Sequence, residues 1–273
     1  VTMLGGALLA VGRTDLKEIL AYTTISALGT LVLLIGLASP AALAAMVVFL
    51  TVHALYKSAL FLVAANVDHR TGTRDLIHLN GLGRIMPWTG LAALLAALGQ
   101  AGAPPALGHM GKKLALKAKL ELAAFDEWLI LAAVLTNIAM VALALAVVVR
   151  PFGGSRSSAP LAGRPVSTGM VIGPVILGIV GVAVGLVPSV FDNHLGTAAA
   201  TAAAGEPVVL DLKVWSGLSL QSLLLMGLSL VVFAAGYLLY AKLHLFHGRA
   251  HLPAALQGLT PTVQYERGLA AFL

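Results

Sequence analysis

The sequence predicts an all-α, polytopic transmembrane helix bundle with about six clear spans and one broken helix. Three observations predict it. Hydrophobic residues make up 59% of the 273-residue chain and charged ones 10%, against about 25% charged in an ordinary soluble domain; the mean hydropathy is +0.95. Several apolar stretches reach the roughly 20 residues that cross a bilayer. They are continuous rather than alternating, so they read as helices and not as strands of a closed barrel, the other structure that leaves no backbone polar group open in hydrocarbon.

Residues 1–11 have no basic n-region of a signal peptide and lead into Arg13, Asp15 and Lys17. They read as the tail of an earlier membrane helix, so the chain is expected to start inside a longer protein. The first full apolar segment runs from about Ile19 to Ala38 and stops at Ser39-Pro40; the second runs from about Ala41 to Val67. A polar loop from Asp68 to about Ile85 follows, and Pro87 opens a third span to about Ala101. Glycine and proline are then dense from Gly102 to Gly111, which interrupts a helix. Residues 102–125 therefore read as the broken segment. Further spans are expected at Trp128–Val149, Gly169–Val187 and about Leu218–Tyr240, with an extramembrane connection at 192–214 and an amphipathic tail from Lys242. The organisation divides into a membrane domain at 1–150 and additional helices with an interfacial tail at 151–273.

The net charge of +6 does not indicate nucleic acid. The basic residues cluster at the ends of apolar segments, where cations meet headgroups and water, and no basic stripe alternates with aromatics. The absence of cysteine excludes disulfides and thiolate or iron–sulfur sites bound by this chain. His244, His247 and His251 have helical spacing, but histidines at a membrane edge are ordinarily solvated, and no metal or other cofactor is expected. Gly181 and Gly185 form a GxxxG pair that reads as helix packing.

A charge at the bilayer centre costs several kcal/mol, by estimates from about 2.5 to over 10, and faces the protein interior or water. Lys57 is the clearest case, deep in an apolar run. His53 lies four residues earlier, on the same helix face. Histidine titrates near neutrality, and the pair suits a two-member proton relay; a purely structural tie between helices is the alternative. Lys17, at the edge of the first span beside Asp15 and Glu18, reads on spacing alone as a snorkelling cation. Lys112 and Lys113 follow the Gly/Pro break, and broken helices expose the carbonyls and helix ends from which transporters build ion sites.

These segments, in this order, resemble the antiporter-like subunits shared by Mrp-type cation/proton antiporters and respiratory complex I. The stretch Asp15-Leu-Lys17-Glu-Ile-Leu-Ala-Tyr22-Thr-Thr-Ile-Ser26-Ala-Leu-Gly29 carries the longest match. His53-Ala-Leu-Tyr-Lys57-Ser-Ala-Leu-Phe-Leu62, the loop from Asp75 to Met86-Pro87, and Gly102-Ala-Pro104-Pro105-Ala-Leu-Gly108-His-Met-Gly-Lys112 carry the rest. The region from Pro207 to Gly217, with the span ending Tyr237-Leu-Leu-Tyr240, is similar to the large A-type subunit of Mrp antiporters.

The resemblance implies the second half of a proton-channel fold plus later helices. It implies a proton path through Lys17, His53 and Lys57, with Lys112 linking the path to one aqueous side, and Asp15 and Lys113 as accessory residues. It implies membrane partner subunits, protons and monovalent cations as cargo, and a prokaryotic cell membrane. His109 stands where the family usually has Phe, and Lys113 where it usually has an acid, so a Lys–acid pair becomes two adjacent cations. The expected function is a proton-translocating subunit of a sodium (monovalent cation)/proton antiporter. A subunit of complex I or of a membrane-bound hydrogenase is the alternative, and a non-transporting scaffold is the second alternative.

Overall fold

The computed structural model describes residues 1–122, 127–154, 161, 164–210, 212 and 220–243, without the side chains of 119–122, 193 and 220–222. The helices are α1 (Thr2–Val11), α2 (Leu16–Gly36), α3 (Pro40–Thr71), α4 (Pro87–Ala101), α5 (Leu107–Leu122), α6 (Glu127–Phe152), α7 (Thr168–Leu186), α8 (Pro188–Phe191), α9 (Thr197–Ala204) and α10 (Leu220–Lys242). A 3₁₀ turn at Leu82–Arg84 precedes α4 and a π turn at Asp192–Gly196 joins α8 to α9. The protein is a multi-pass membrane protein of all-α class. His244, His247 and His251, and most of the 207–217 match, lie outside the described residues.

Local chemistry sets the helix ends. The Asp15 carboxylate caps α2, accepting from the Lys17 N–H at 2.7 Å and the Glu18 N–H at 3.2 Å. Ser39 caps α3 by accepting from the Ala42 N–H, with Pro40 in the first turn, where a missing N–H costs nothing. Gly72 and Gly102 close α3 and α4 in the left-handed conformation that glycine adopts without penalty.

Asp15 has a second task. Its other oxygen takes the Arg74 Nε–H at 3.1 Å, while backbone bonds join Leu16 N–H to Arg74 O and Leu76 N–H to Thr14 O. The polar loop is thereby latched to the start of α2, and the hydrogen bond to Asp15 raises the Arg74 pKa above its ordinary value. Both partners are about a third exposed, so the pair itself contributes little. Asp15→Ala is expected to cost about 1 kcal/mol, mostly as a lost cap, read as a lowered unfolding midpoint in detergent.

Among the described residues, five helices are long and apolar enough to cross a membrane, one fewer than expected. The difference is α4. Its 15 residues make about 22 Å at 1.5 Å per residue, short of the roughly 30 Å hydrocarbon core. It is the first half of the broken crossing, which α5 completes after the Gly102–Ala106 turn. Two other boundaries also moved. α3 runs on to Thr71, through the start of the expected loop. The tract at 197–204 is helical, as alanine's helix propensity favours.

α3 is the hub, packing on α2, α4, α5, α7 and α9. α4 lies between α3, α6 and α7, and α10 packs mainly on α6. Thus α7 and α9, from beyond residue 150, rest directly on the earlier helices. The core is made of small and aliphatic residues, among them Leu20, Val48, Ala59, Leu60, Ala96, Leu107 and Leu143. The outer faces of α7 and α10 stay exposed and apolar, with Ile172, Ile176, Leu224, Leu230 and Val231 outward, as lipid or neighbouring helices require.

Candidate functional site

The only charged side chain buried among the described residues is Lys57, 5% exposed, and His53 is buried with it at 7%. No carboxylate is buried among the described residues. Lys57 Nζ donates to the Leu20 carbonyl at 3.0 Å and to the Thr23 hydroxyl of α2. Thr23 Oγ1 in turn donates to the Ile19 carbonyl at 2.7 Å. The amine is therefore held by two neutral oxygens. One turn earlier on α3, His53 Nδ1 shares a hydrogen bond of 3.0 Å with the Tyr56 hydroxyl. The two rings meet edge to face, and Phe49 stacks on the other side of His53.

A line of hydroxyls leads from this cluster toward the break. Thr23, Ser26 and Thr30 follow at spacings of three and four on the buried face of α2, so they stand one above the other. Ser26 and Thr30, with Phe49, Lys112, Thr136 and Asn137, border a small void of about 20 Å³, room for one water. Beyond it lies a cavity of about 430 Å³ between the α4–α5 break, α6 and α10, with His109, Lys112, Lys113, Asn137 and Ser229 on its polar side.

The break places Lys112. α4 ends at Ala101, and its free terminal carbonyl accepts from Lys112 Nζ at 3.0 Å. The negative end of a helix dipole suits an ammonium there. His109 Nδ1 lies 3.2 Å from the Gly102 carbonyl; an oxygen of that kind only accepts, so Nδ1 carries the hydrogen. Two carbonyls at the end of the broken helix, those of Ala101 and Gly102, are thus met by side chains of α5.

Of the residues expected from the sequence, His53 and Lys57 are buried together on α3, Lys112 borders the small void that Ser26 and Thr30 also border, and Lys113 lies beside the outer cavity. Lys17 stands apart. It is exposed in the first turn of α2, one turn before Leu20, and no hydrogen bond joins its side chain to His53 or Lys57. Asp15 is a helix cap and loop latch. Thr23, Tyr56, Asn137 and the hydroxyls of α2 were not among the expected residues, although Thr23, Ser26 and Tyr56 lie inside the two longest motifs.

Residues 1–140 match the transmembrane family described as NADH:quinone oxidoreductase/Mrp antiporter. The chain belongs to this family. The matched residues include Lys17, His53, Lys57, the α2 hydroxyls, Lys112 and Asn137. The A-type subunit of the Na(+)/H(+) antiporter of Alkalihalophilus pseudofirmus is 33% identical over 270 residues, covering 88% of this chain. The chain spans 33% of that relative's length. A structure of the Mrp complex from Dietzia sp. superposes on 99% of this chain and 29% of the matched chain, at 32% identity and a TM-score of 0.79. Respiratory complex I from Thermus thermophilus, with bound Aureothin, covers 70% of this chain and 42% of its own matched chain, at 26% identity and a TM-score of 0.55.

One polar side chain of this family member is unexplained by the line. Gln100 is fully buried, and neither its amide nitrogen nor its oxygen has a partner. An orphaned buried amide costs about 1–3 kcal/mol, whereas an apolar replacement of like shape is neutral or stabilising. Gln100→Leu is expected to leave the unfolding midpoint unchanged or raise it, by up to that amount. A clear drop would mean that the amide is satisfied by a bound water.

Proposed function

We propose that the chain forms part of the proton-translocating membrane subunit of a multisubunit monovalent cation/proton antiporter, with the proton carried by buried lysine and histidine. The observation that carries this reading is Lys57, buried without an acid and held between two neutral oxygens, with the His53–Tyr56 pair one turn away. A group held in this way can lose and regain a proton without breaking an ion pair. Lys112, at the end of the broken helix, stands at the mouth of the larger cavity, where exchange with water is possible. Lys17, by its exposure, is an entry-side residue in this reading rather than a member of the buried cluster.

Likeness to the Mrp complex and to the A. pseudofirmus antiporter supports an A-type subunit in a prokaryotic cell membrane, assembled with other membrane subunits. Sodium is the ion in the name of the A. pseudofirmus relative. The alternative of a complex I subunit, driven by electron transfer elsewhere, draws support from the family's shared description and from the Thermus structure, but that fit covers less of this chain. The test is proton flux in vesicles holding the complete antiporter complex, under sodium, lithium and potassium gradients. Exchange that needs a cation gradient and no electron donor is expected. Flux that follows NADH or hydrogen oxidation alone would reverse the ranking.

A further inference from the structure

Two spaces lie on either side of Lys112. The inner void of about 20 Å³ touches the α2 hydroxyls, and the outer cavity of about 430 Å³ is mostly apolar, with its polar groups at His109, Lys112, Lys113, Asn137 and Ser229. Among the described residues, three border both: Lys112 and Leu116 of α5, and Asn137 of α6. The wall between the spaces is therefore one cation, one apolar side chain and one carboxamide. Asn137 sits beside Thr136 in an otherwise apolar stretch of α6, where an amide is costly unless it meets polar company. Its position gives it that company on both sides.

We infer that Asn137 is a positioning residue of the gate between outer cavity and inner void, and that water occupies the polar side of the outer cavity, beside His109, Lys112, Lys113 and Asn137. This rests on the proton-relay reading above. A carboxamide does not itself carry the proton, but it has two N–H donors and an acceptor oxygen. It can hold a water of the cavity and a water of the void at the same time, in line with Lys112 Nζ. The proton then leaves an N–H of the Lys112 ammonium for the oxygen of one of these waters. The neutral amine takes a replacement proton from a hydronium on the other side, which is left as water. Leu116 closes the remainder of the wall, so the passage is narrow and its only polar sides are Lys112 and Asn137.

The chain has no cysteine, which makes single-cysteine variants clean reporters. In the complete antiporter complex, Asn137→Cys is expected to react with a water-soluble, membrane-impermeant thiol reagent applied from one side. Asn137→Leu is expected to lower proton flux at least about tenfold with assembly intact, and Asn137→Ser, which still holds water, to retain most of it. A purely structural asparagine would leave Asn137→Leu assembled and transporting at the normal rate, and that result overturns the proposal. So does resistance of the Asn137→Cys variant to the reagent from both sides. If Asn137→Leu fails to assemble, the labelling and the serine variant still decide. Lys57→Ala, run in parallel, separates the two readings: normal flux in that variant defeats the relay itself, whereas lost flux there with normal flux in Asn137→Leu defeats only the gate.

Discussion

Lys57→Met in the complete protein is expected to lower proton flux by about 100-fold or more, the scale on which a positioned proton-transfer group matters, while leaving the fold as stable as before. The second half of that expectation is what separates a relay from a tie. Methionine is close to lysine in length and is unbranched, so no cavity opens in α3. The oxygens that Lys57 leaves are not stranded. Thr23 Oγ1 still donates to the Ile19 carbonyl at 2.7 Å, and the Leu20 carbonyl still accepts from Thr24 Oγ1 at 2.8 Å. No carboxylate loses a partner. The polar groups of α2 are therefore satisfied without the amine, and removing a cation from the interior relieves a desolvation cost. If Lys57 only tied α3 to α2, the methionine variant would unfold earlier and transport normally once assembled. Unfolding midpoint and flux measured on the same preparation give opposite patterns for the two roles.

Much of this arrangement was legible in the residues, and the parts that were not have physical reasons. Lys57 and His53 stood out because a charge inside an apolar run has few places to go. The break stood out because Gly102, Pro104, Pro105 and Gly108 cannot continue a helix. The span count came out one too high because the apolar stretch from Pro87 to Ala101 was counted as a span by itself, although its 15 residues are too few to cross the hydrocarbon core. Thr136 and Asn137 were passed over as part of a clean span; two polar residues in the middle of α6 were the available signal. Gln100 gave the same signal on α4. Lys17 is exposed at the start of α2. The motif around it matches closely, yet its placement depends on where α2 begins, and Asp15 caps the helix just two residues earlier.

Gly108→Ala is expected to be among the most damaging small substitutions at the described residues, costing about 3 kcal/mol or more, at or beyond the top of the range for overpacking. α5 passes so close to the end of α4 that a Cβ at residue 108 would sit inside the van der Waals contact of the Gly99 carbonyl oxygen and 2.8 Å from the Gly99 carbonyl carbon. The obstacle is backbone, which cannot rotate aside as a side chain can. On the other side of the turn, α7 is equally tight, since a Cβ at Gly185 would lie 2.6 Å from the Ala106 carbonyl carbon. Gly181, one turn before it in the same GxxxG pair, has nothing within 4 Å, so Gly181→Ala is the control and is expected to be silent. Any shift of α5 that accommodates residue 108 moves Lys112, four residues on, away from the Ala101 carbonyl and out of the wall between the two spaces. Gly108→Ala should therefore lose stability and flux together, whereas Lys57→Met loses flux alone. Normal unfolding and normal transport in Gly108→Ala would mean that the turn is looser than its backbone contacts require.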